Sequence, residues 1–225
     1  MKRLDKILSL VETPKDPGKA LIDVGTDHAY LPISLALADY PGSLIASDIH
    51  SGPLETARKM AQRAGVEDRI SFRLSDGLQC CDPSEADTIV IAGMGGDLIC
   101  TILDHAEWTM DASVHLILQP MTKAEVLRFW LCNNGYEILS EHLIRENKRL
   151  FQILSVRFSG RNTPMTDAEC FLGRRCIAEN EALYDLSATD LLKRIRKKIS
   201  GLKKAGITGG EAAFYNEILK ELTED

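Results

Sequence analysis

No apolar run among the 225 residues approaches the roughly 20 needed to cross a bilayer, which excludes a helical membrane span. The short stretch Ile7–Val11 is not followed by a small-residue cleavage site, so it does not read as a secretory leader. A cytoplasmic protein is expected. None of the six cysteines (80, 81, 100, 132, 170 and 176) forms a Cys-x-x-Cys pair or a zinc-finger spacing with histidine. No metal is expected, and the adjacent Cys80 and Cys81 read as reduced structural thiols. Internal repeats and low-complexity tracts are missing too. So is any Gly-x-Gly-x-x-Gly, which removes the glycine fingerprint that cradles a pyrophosphate. The net charge of −6 does not advertise a nucleic-acid partner. That average hides a local reversal, because Lys193, Arg194, Arg196, Lys197, Lys198, Lys203 and Lys204 follow Leu191 with no acid among them.

What is present is alternation. Through about residue 160, short apolar runs alternate with helical patterns, as in a parallel sheet with crossover helices. Strands are expected at Ala20–Val24, Leu44–Asp48, Ile70–Leu74, Thr88–Ala92 and Val114–Leu118. Helices are expected over Ala29–Asp39, from a Ser51 cap to Ala64, after Gly93–Gly96 to about His105, and over Thr122–Asn133. Tyr136–Arg145 and Leu150–Phe158 follow each other across a charged turn, which reads as an antiparallel hairpin. Five βα units closed by such a hairpin give the strand count of a class I methyltransferase sheet, a Rossmann-like α/β fold of seven strands. Residues 159–164 read as a linker, dividing a domain at 1–160 from a helical extension at 161–225. In that extension Leu191, Ile195, Ile199 and Leu202 make one apolar stripe. Phe214, Ile218 and Leu222 make a second beyond a glycine-rich turn, the pattern of a helical hairpin.

The chemistry gathers at the strand ends. Asp23-Val24-Gly25-Thr26-Asp27-His28 leaves the first strand as acid-x-Gly-x-acid. Carboxylates there would repel a pyrophosphate but suit S-adenosylmethionine (SAM), which carries an ammonium and a sulfonium. Asp48 ends the second strand, where an acid can accept from both ribose hydroxyls, and Asp76-Gly77 follows the third. Each alone reads equally as a cap or a turn; three acids after three consecutive strands make a register. Ala92-Gly93-Met94-Gly95-Gly96 after the fourth strand permits close backbone approach of a ligand. Gln119-Pro120-Met121 after the fifth offers an amide for a base edge.

The runs DVGTDHAYLP (Asp23–Pro32), IAGMGG (Ile91–Gly96), LILQP (Leu116–Pro120) and LRFWL (Leu127–Leu131) closely resemble the TrmK family, bacterial tRNA (adenine(22)-N1)-methyltransferases. The resemblance spans about residues 4–158, and the tail resembles that family's coiled-coil domain. It implies a SAM site at Asp23, Gly25, Asp27, His28, Asp48, Asp76, Gly77 and Gly93–Gly96, flanked by Thr26, Leu31, Ile49 and Ala92. It also implies tRNA as the partner and no protein partner. The chain departs from the family pattern at Asp48, often Glu there, and at Met121, usually Asn. The second departure shifts weight onto Gln119 and Asp27.

Methylation of adenine N1 needs alignment and exclusion of water rather than a covalent enzyme intermediate, and an unpaired base. Asp27 is the expected group for orienting that base, supported by His28, Tyr30 and Gln119. RNA affinity is expected from the Lys193–Lys204 cluster, with Arg145, Lys148 and Arg149 second. Two alternatives stand beside this one: a methyltransferase acting on another base or a small molecule, and a non-catalytic RNA-binding module. An adenine-N6 enzyme would usually carry Asn/Asp-Pro-Pro-aromatic where this chain has Gly-Met-Gly-Gly.

Overall fold

The computed structural model describes residues 2–14, 16 and 18–224. Seven strands form one sheet: β1 (Ala20–Val24), β2 (Ser43–Asp48), β3 (Ile70–Leu74), β4 (Ala86–Gly95), β5 (His115–Thr122), β6 (Tyr136–Glu146) and β7 (Arg149–Phe158). Their order is β3-β2-β1-β4-β5-β7-β6. The first five run parallel, and β7 is antiparallel to both neighbours. The hairpin closure expected from the sequence is therefore present. The central strands are buried on both faces, so they read as continuous apolar runs whose residues alternate between two cores. Ile22, Ile89, Ile91, Leu116 and Leu118 face one side, with Ile99 and Leu103 of α4 (Gly96–Asp104) and Leu127 and Leu131 of α5 (Ala124–Asn133). Leu21, Leu44, Val90 and Ile117 face the other, with α2 (Tyr30–Leu37), α3 (Ser51–Ala64) and an amino-terminal helix α1 (Lys2–Leu10). Each such side chain contributes about 1.5–3 kcal/mol by leaving water.

Helix α1 was not foreseen. Leu4, Ile7 and Leu8 do stand at helical spacing, and Ile7 is buried against the second core. Ser51 does not cap α3 as expected: His50 takes that position in extended backbone, with no side-chain cap. Both β4 and β5 overrun their expected ends, because Met94 pairs with Pro120 and Gly95 with Thr122 across irregular register. Pro120 is tolerated inside a strand because β7 pairs with β5 only as far as Leu118. α5 accordingly begins at Ala124 instead of Thr122.

Residues 159–164 are not a free linker either. Ser159 and Gly160 donate to the Gly135 carbonyl, and Thr163 to that of Cys132. Beyond them lie α6 (Asp167–Leu172), α7 (Glu181–Lys204) and α8 (Glu211–Glu224). α8 folds back on α7, and their core joins Leu191, Ile195 and Ile218 to Leu143 of β6. Phe214 departs from the expected stripe: it is 36% exposed, leaning on Phe171 and Tyr215, while Ala212 turns inward in its place. The tail also caps the open edge of the sheet, where Ala178 bridges Glu141 of β6.

Two polar clusters, one buried and one at the surface, tie these parts together. Arg128 of α5, fully buried, donates from Nε and Nη2 to both oxygens of Glu141 at 3.0 Å, and from Nη1 to the Cys170 carbonyl at 2.8 Å. Glu179 accepts from Lys6 of α1 at 2.7 Å and lies 2.7 Å from Nδ1 of the buried His142. Those contacts, Lys6 first and then His142, hold the Glu179 carboxyl below its ordinary range. Cys80, Cys81, Cys100, Cys132 and Cys170 are free thiols, and the Cys176 side chain lies outside the described ones. Among the described residues, no helix is long and apolar enough to cross a membrane. Among the described residues, no His, Cys, Asp and Glu cluster could hold a metal ion.

Candidate active site

The strand order reverses between β1 and β4, since the chain leaves β1 toward β2 and returns to pair β4 on β1's other side. A parallel sheet opens a crevice at such a point, at the carboxyl ends of its strands. A cleft of about 310 Å³ lies there. It is lined by Asp23, Gly25, Thr26, Asp27, His28, Ala29, Tyr30 and Leu31 after β1, Val90, Ala92 and Gly93 of β4, Gln119 of β5, and Arg3, Leu4 and Ile7 of α1. Every residue expected to act on the target base is therefore in one cavity, with most of the first-strand motif.

The turn is tightly made. Gly25 and Thr26 donate their backbone N–H groups to the Ser47 carbonyl at 2.8 and 2.9 Å, binding the end of β1 to β2. Gly25 has φ +77°, and a Cβ on it would lie 2.3 Å from the Met94 methyl. Only glycine fits. Ala29, buried at the head of α2, holds the left-handed region at φ 51°. That conformation costs a non-glycine residue on the order of 1 kcal/mol, and such strain gathers where a loop must be aimed. Asp23 is recessed in the floor, and the Thr26 hydroxyl donates to it at 2.6 Å. Burial pushes its carboxyl up to about 6; the Thr26 bond opposes this, and Asp48 adds repulsion. Around the rim, Asp27 is 77% exposed with His28 Nε2 at 3.3 Å, and the His28 ring lies 5.3 Å from that of Tyr30.

The remaining expected residues stand outside this cavity. Asp48 ends β2, its Oδ1 accepting from the His50 N–H at 2.9 Å, and its carbonyl accepts from Ser75 N–H at the end of β3. Asp76 and Gly77 follow on that next strand end, and Ile49 is 55% exposed beside Asp48. The three acids thus follow one another along the sheet rim, but only Asp23 lines the cleft. The three glycines after β4 differ in role. Gly93, at φ +82° with open space where a Cβ would go, faces the cleft. Gly96 serves packing: a Cβ there would lie 2.2 Å from the Lys123 carbonyl oxygen. Gly95 sits over the Asp97 carboxylate, which binds Lys123.

Gln119 lines the cleft but is 1% exposed, and both ends of its amide are satisfied. Its Nε2 donates to the Pro120 carbonyl at 2.8 Å, and its Oε1 accepts from Arg3 Nη1 at 3.3 Å. Almost wholly buried and engaged at both ends, it is not presented to a base, whereas Asp27 is an exposed acceptor. Sequence reasoning missed Arg3, Leu4 and Ile7 because, although Leu4, Ile7 and Leu8 stand at helical spacing, nothing local ties a nine-residue helix to a cleft.

Beside this cleft runs a broader groove of about 620 Å³, walled by Pro120–Glu125, the β6–β7 turn and α7. It gathers Lys123, Arg145, Lys148, Arg149, Lys193 and Arg194 against two acids, Glu125 and Asp190. Only two members of the expected basic cluster belong to it. Lys197 and Lys198 line another depression with Arg194, while Arg196, Lys203 and Lys204 are exposed elsewhere on α7. Acids oppose the run on both sides: Asp190, one turn back on the same helix, lies 3.4 Å from Lys193, and Glu211, remote in sequence, 2.9 Å from Lys198.

A seven-stranded sheet with an antiparallel last hairpin and an acid-lined crevice at its switch point defines a methyltransferase domain. A family model described as a methyltransferase domain matches residues 1–154. Over nearly its whole length the chain resembles the tRNA (adenine(22)-N(1))-methyltransferase of Bacillus subtilis, 34% identical over 99% of this chain and 98% of that one. The crystal structure of the B. subtilis M1A22 tRNA methyltransferase TrmK superposes with a TM-score of 0.77 at 29% identity, covering 99% of this chain and 94% of that one. TrmK of M. capricolum, solved with the cofactor product S-adenosylhomocysteine, gives 0.73 at 25% identity over 100% and 95%. The chain belongs to the tRNA (adenine(22)-N1)-methyltransferase family.

Proposed function

We propose that this chain transfers the methyl group of SAM to N1 of adenine 22 in tRNA, acting in the cytoplasm. The observation that carries the reading is the cleft itself, acidic at Asp23 and Asp27 and open at Gly93. The residues present fit such a donor. Asp23 suits its ammonium, Asp48 at the end of the next strand would accept from ribose hydroxyls, and Gly25 and Gly93 allow close approach. When bound, SAM supplies an electrophilic methyl group.

The chain's own residues do the rest. Adenine N1 brings its own lone pair, so no side chain must act as nucleophile or obligatory base. Alignment and dehydration are the requirements, and a well-oriented pair of reactants can account for several kcal/mol of barrier. Asp27 accepts from the exocyclic amine of the unpaired base and raises electron density at N1. His28 steadies Asp27, and Tyr30 offers a ring face for stacking. Gln119, held by Arg3 and Pro120, shapes the wall. Asp27→Ala is expected to lower kcat about 10- to 100-fold while S-adenosylhomocysteine affinity stays within about threefold. Single-turnover methylation of tRNA transcripts with parallel calorimetry checks this, and undiminished turnover removes Asp27 from the role.

The tail, 161–225, and the β6–β7 turn would hold the tRNA. The groove that begins at Pro120–Lys123, directly after Gln119, favours Arg145, Lys148, Arg149, Lys193 and Arg194 over the outer lysines of α7. Changing Arg145, Arg149, Lys193 and Arg194 together to alanine should reduce tRNA affinity by at least about tenfold. The log–log salt slope should fall by about 0.7–0.9 for each phosphate no longer neutralised. Cofactor binding should not change. Filter binding across a salt series tests it, and wild-type tRNA affinity in the variant would return the assignment to Lys197–Lys204. Mapping N1-methyladenosine by mass spectrometry on tRNA treated with the protein and SAM tests the activity as a whole.

A further inference from the structure

We infer that Arg3 of α1 is the binding residue for the carboxylate of the donor's amino-acid end, an inference that rests on the SAM reading above. That end of the donor is a zwitterion. The cleft supplies an anion for its ammonium in Asp23, and a buried carboxylate requires a cation or hydrogen-bond donors in turn. Among the described lining residues Arg3 is the one with a permanent positive charge; His28 is titratable and already beside Asp27.

The guanidinium is held in place before any ligand arrives. Nε donates to Glu146 Oε2 at 3.0 Å, and Nη1 donates to Gln119 Oε1 at 3.3 Å and contacts Met121 Sδ at 3.4 Å. Its face lies 4.2 Å from the centre of the Phe151 ring. One edge, one corner and one face are therefore occupied. The Nη2 corner makes no hydrogen bond among the described residues, and the side chain is 31% exposed on the cleft. A guanidinium fixed on three sides with a spare pair of donors suits a carboxylate, because little further ordering is lost when it binds. Glu146 tempers the charge without using the free corner. The same arrangement explains why Gln119 is turned away from a base: its carbonyl orients Arg3.

The test is a ligand cycle read by calorimetry on the full chain. Wild type and Arg3→Met are titrated with S-adenosylhomocysteine and with its decarboxylated analogue, which keeps the adenosine and the ammonium. In wild type, removal of the ligand carboxylate is expected to weaken binding about 10- to 100-fold, the range for a hydrogen-bonded charged group. In Arg3→Met that ratio should fall to about one, because only the parent ligand loses affinity, and Arg3→Lys should give an intermediate ratio. The decarboxylated analogue also reports on folding, since a merely structural role for Arg3 would weaken both ligands alike. Equal loss for both ligands, a ratio unchanged from wild type, or a variant too unfolded to bind either overturns the inference. Wild-type protein that binds neither compound overturns the SAM reading itself, a result distinct from Arg3→Met behaving like wild type.

Discussion

Arg128→Met is expected to destabilise the native state by about 3–5 kcal/mol, the cost of leaving a buried carboxylate without its partner. The site leaves little room for repair. Arg128 is fully buried and Glu141 is 5% exposed, so water cannot replace the three bonds that the guanidinium makes. The wall around the pair is equally closed. Gly173, at φ +88°, has space only for hydrogen, since a Cβ there would lie 2.2 Å from Glu141 Oε2. Tyr184 reaches across to donate to the Gly173 carbonyl at 3.1 Å. The Cys170 carbonyl would lose its donor as well. Urea denaturation should show a lower midpoint with little change in slope for Arg128→Met. Adding Glu141→Leu to it should recover much of the loss, because a buried ion pair usually does little better than apolar residues of similar size. Stability of the single variant within about 1 kcal/mol of wild type would disprove the account.

Asp23→Asn is expected to move stability and function in opposite directions. A carboxyl raised from 3.8 to about 6 favours its protonated form in the folded chain. The stabilising preference for that proton is fully present below about pH 4 and is lost as the pH rises through 6. At pH 8 the folded protein therefore carries the whole strain of an ionised, recessed Asp23. A rise of that size corresponds to an upper limit of about 3 kcal/mol. The asparagine variant, which can still accept from Thr26, should gain about 1–2 kcal/mol at pH 8 and almost nothing at pH 4. S-adenosylhomocysteine affinity should fall about 100-fold or more, because the ammonium loses its buried counter-charge. Thermal melts at both pH values and calorimetry check the pair of effects. A variant less stable than wild type at pH 8 would count against it. The strain belongs to the site: a group costly to the empty fold becomes favourable once a cation sits beside it.

The sheet was legible because its central strands are covered on both faces, so their apolar runs stood out and the glycines and acids marked where they end. The closing hairpin was legible from two strand patterns with no helix between them. What escaped lay in features that a local pattern does not encode. Lys2–Leu10 reads as a short basic and apolar segment, and only its burial against α2 and β6 turns Leu4 and Ile7 into a cleft wall. Met94 and Gly95 look like loop until Pro120 and Thr122 pair with them. The basic run on α7 reads as unopposed because Glu211 is remote in sequence and adjacent in space. The site was similarly divided. Asp23, Asp27, His28, Tyr30 and Gln119 do meet in one cavity, yet the hydrogen bond that occupies the Gln119 carbonyl comes from a helix the pattern did not reveal.

The seat that Gly96 leaves for the Lys123 carbonyl has a mechanical consequence. With two successive βα junctions in backbone contact, the ends of β4 and β5 behind the cleft cannot part without breaking that contact. On its β4–β5 side, an incoming nucleobase therefore meets strand ends locked to one another and not a movable flap.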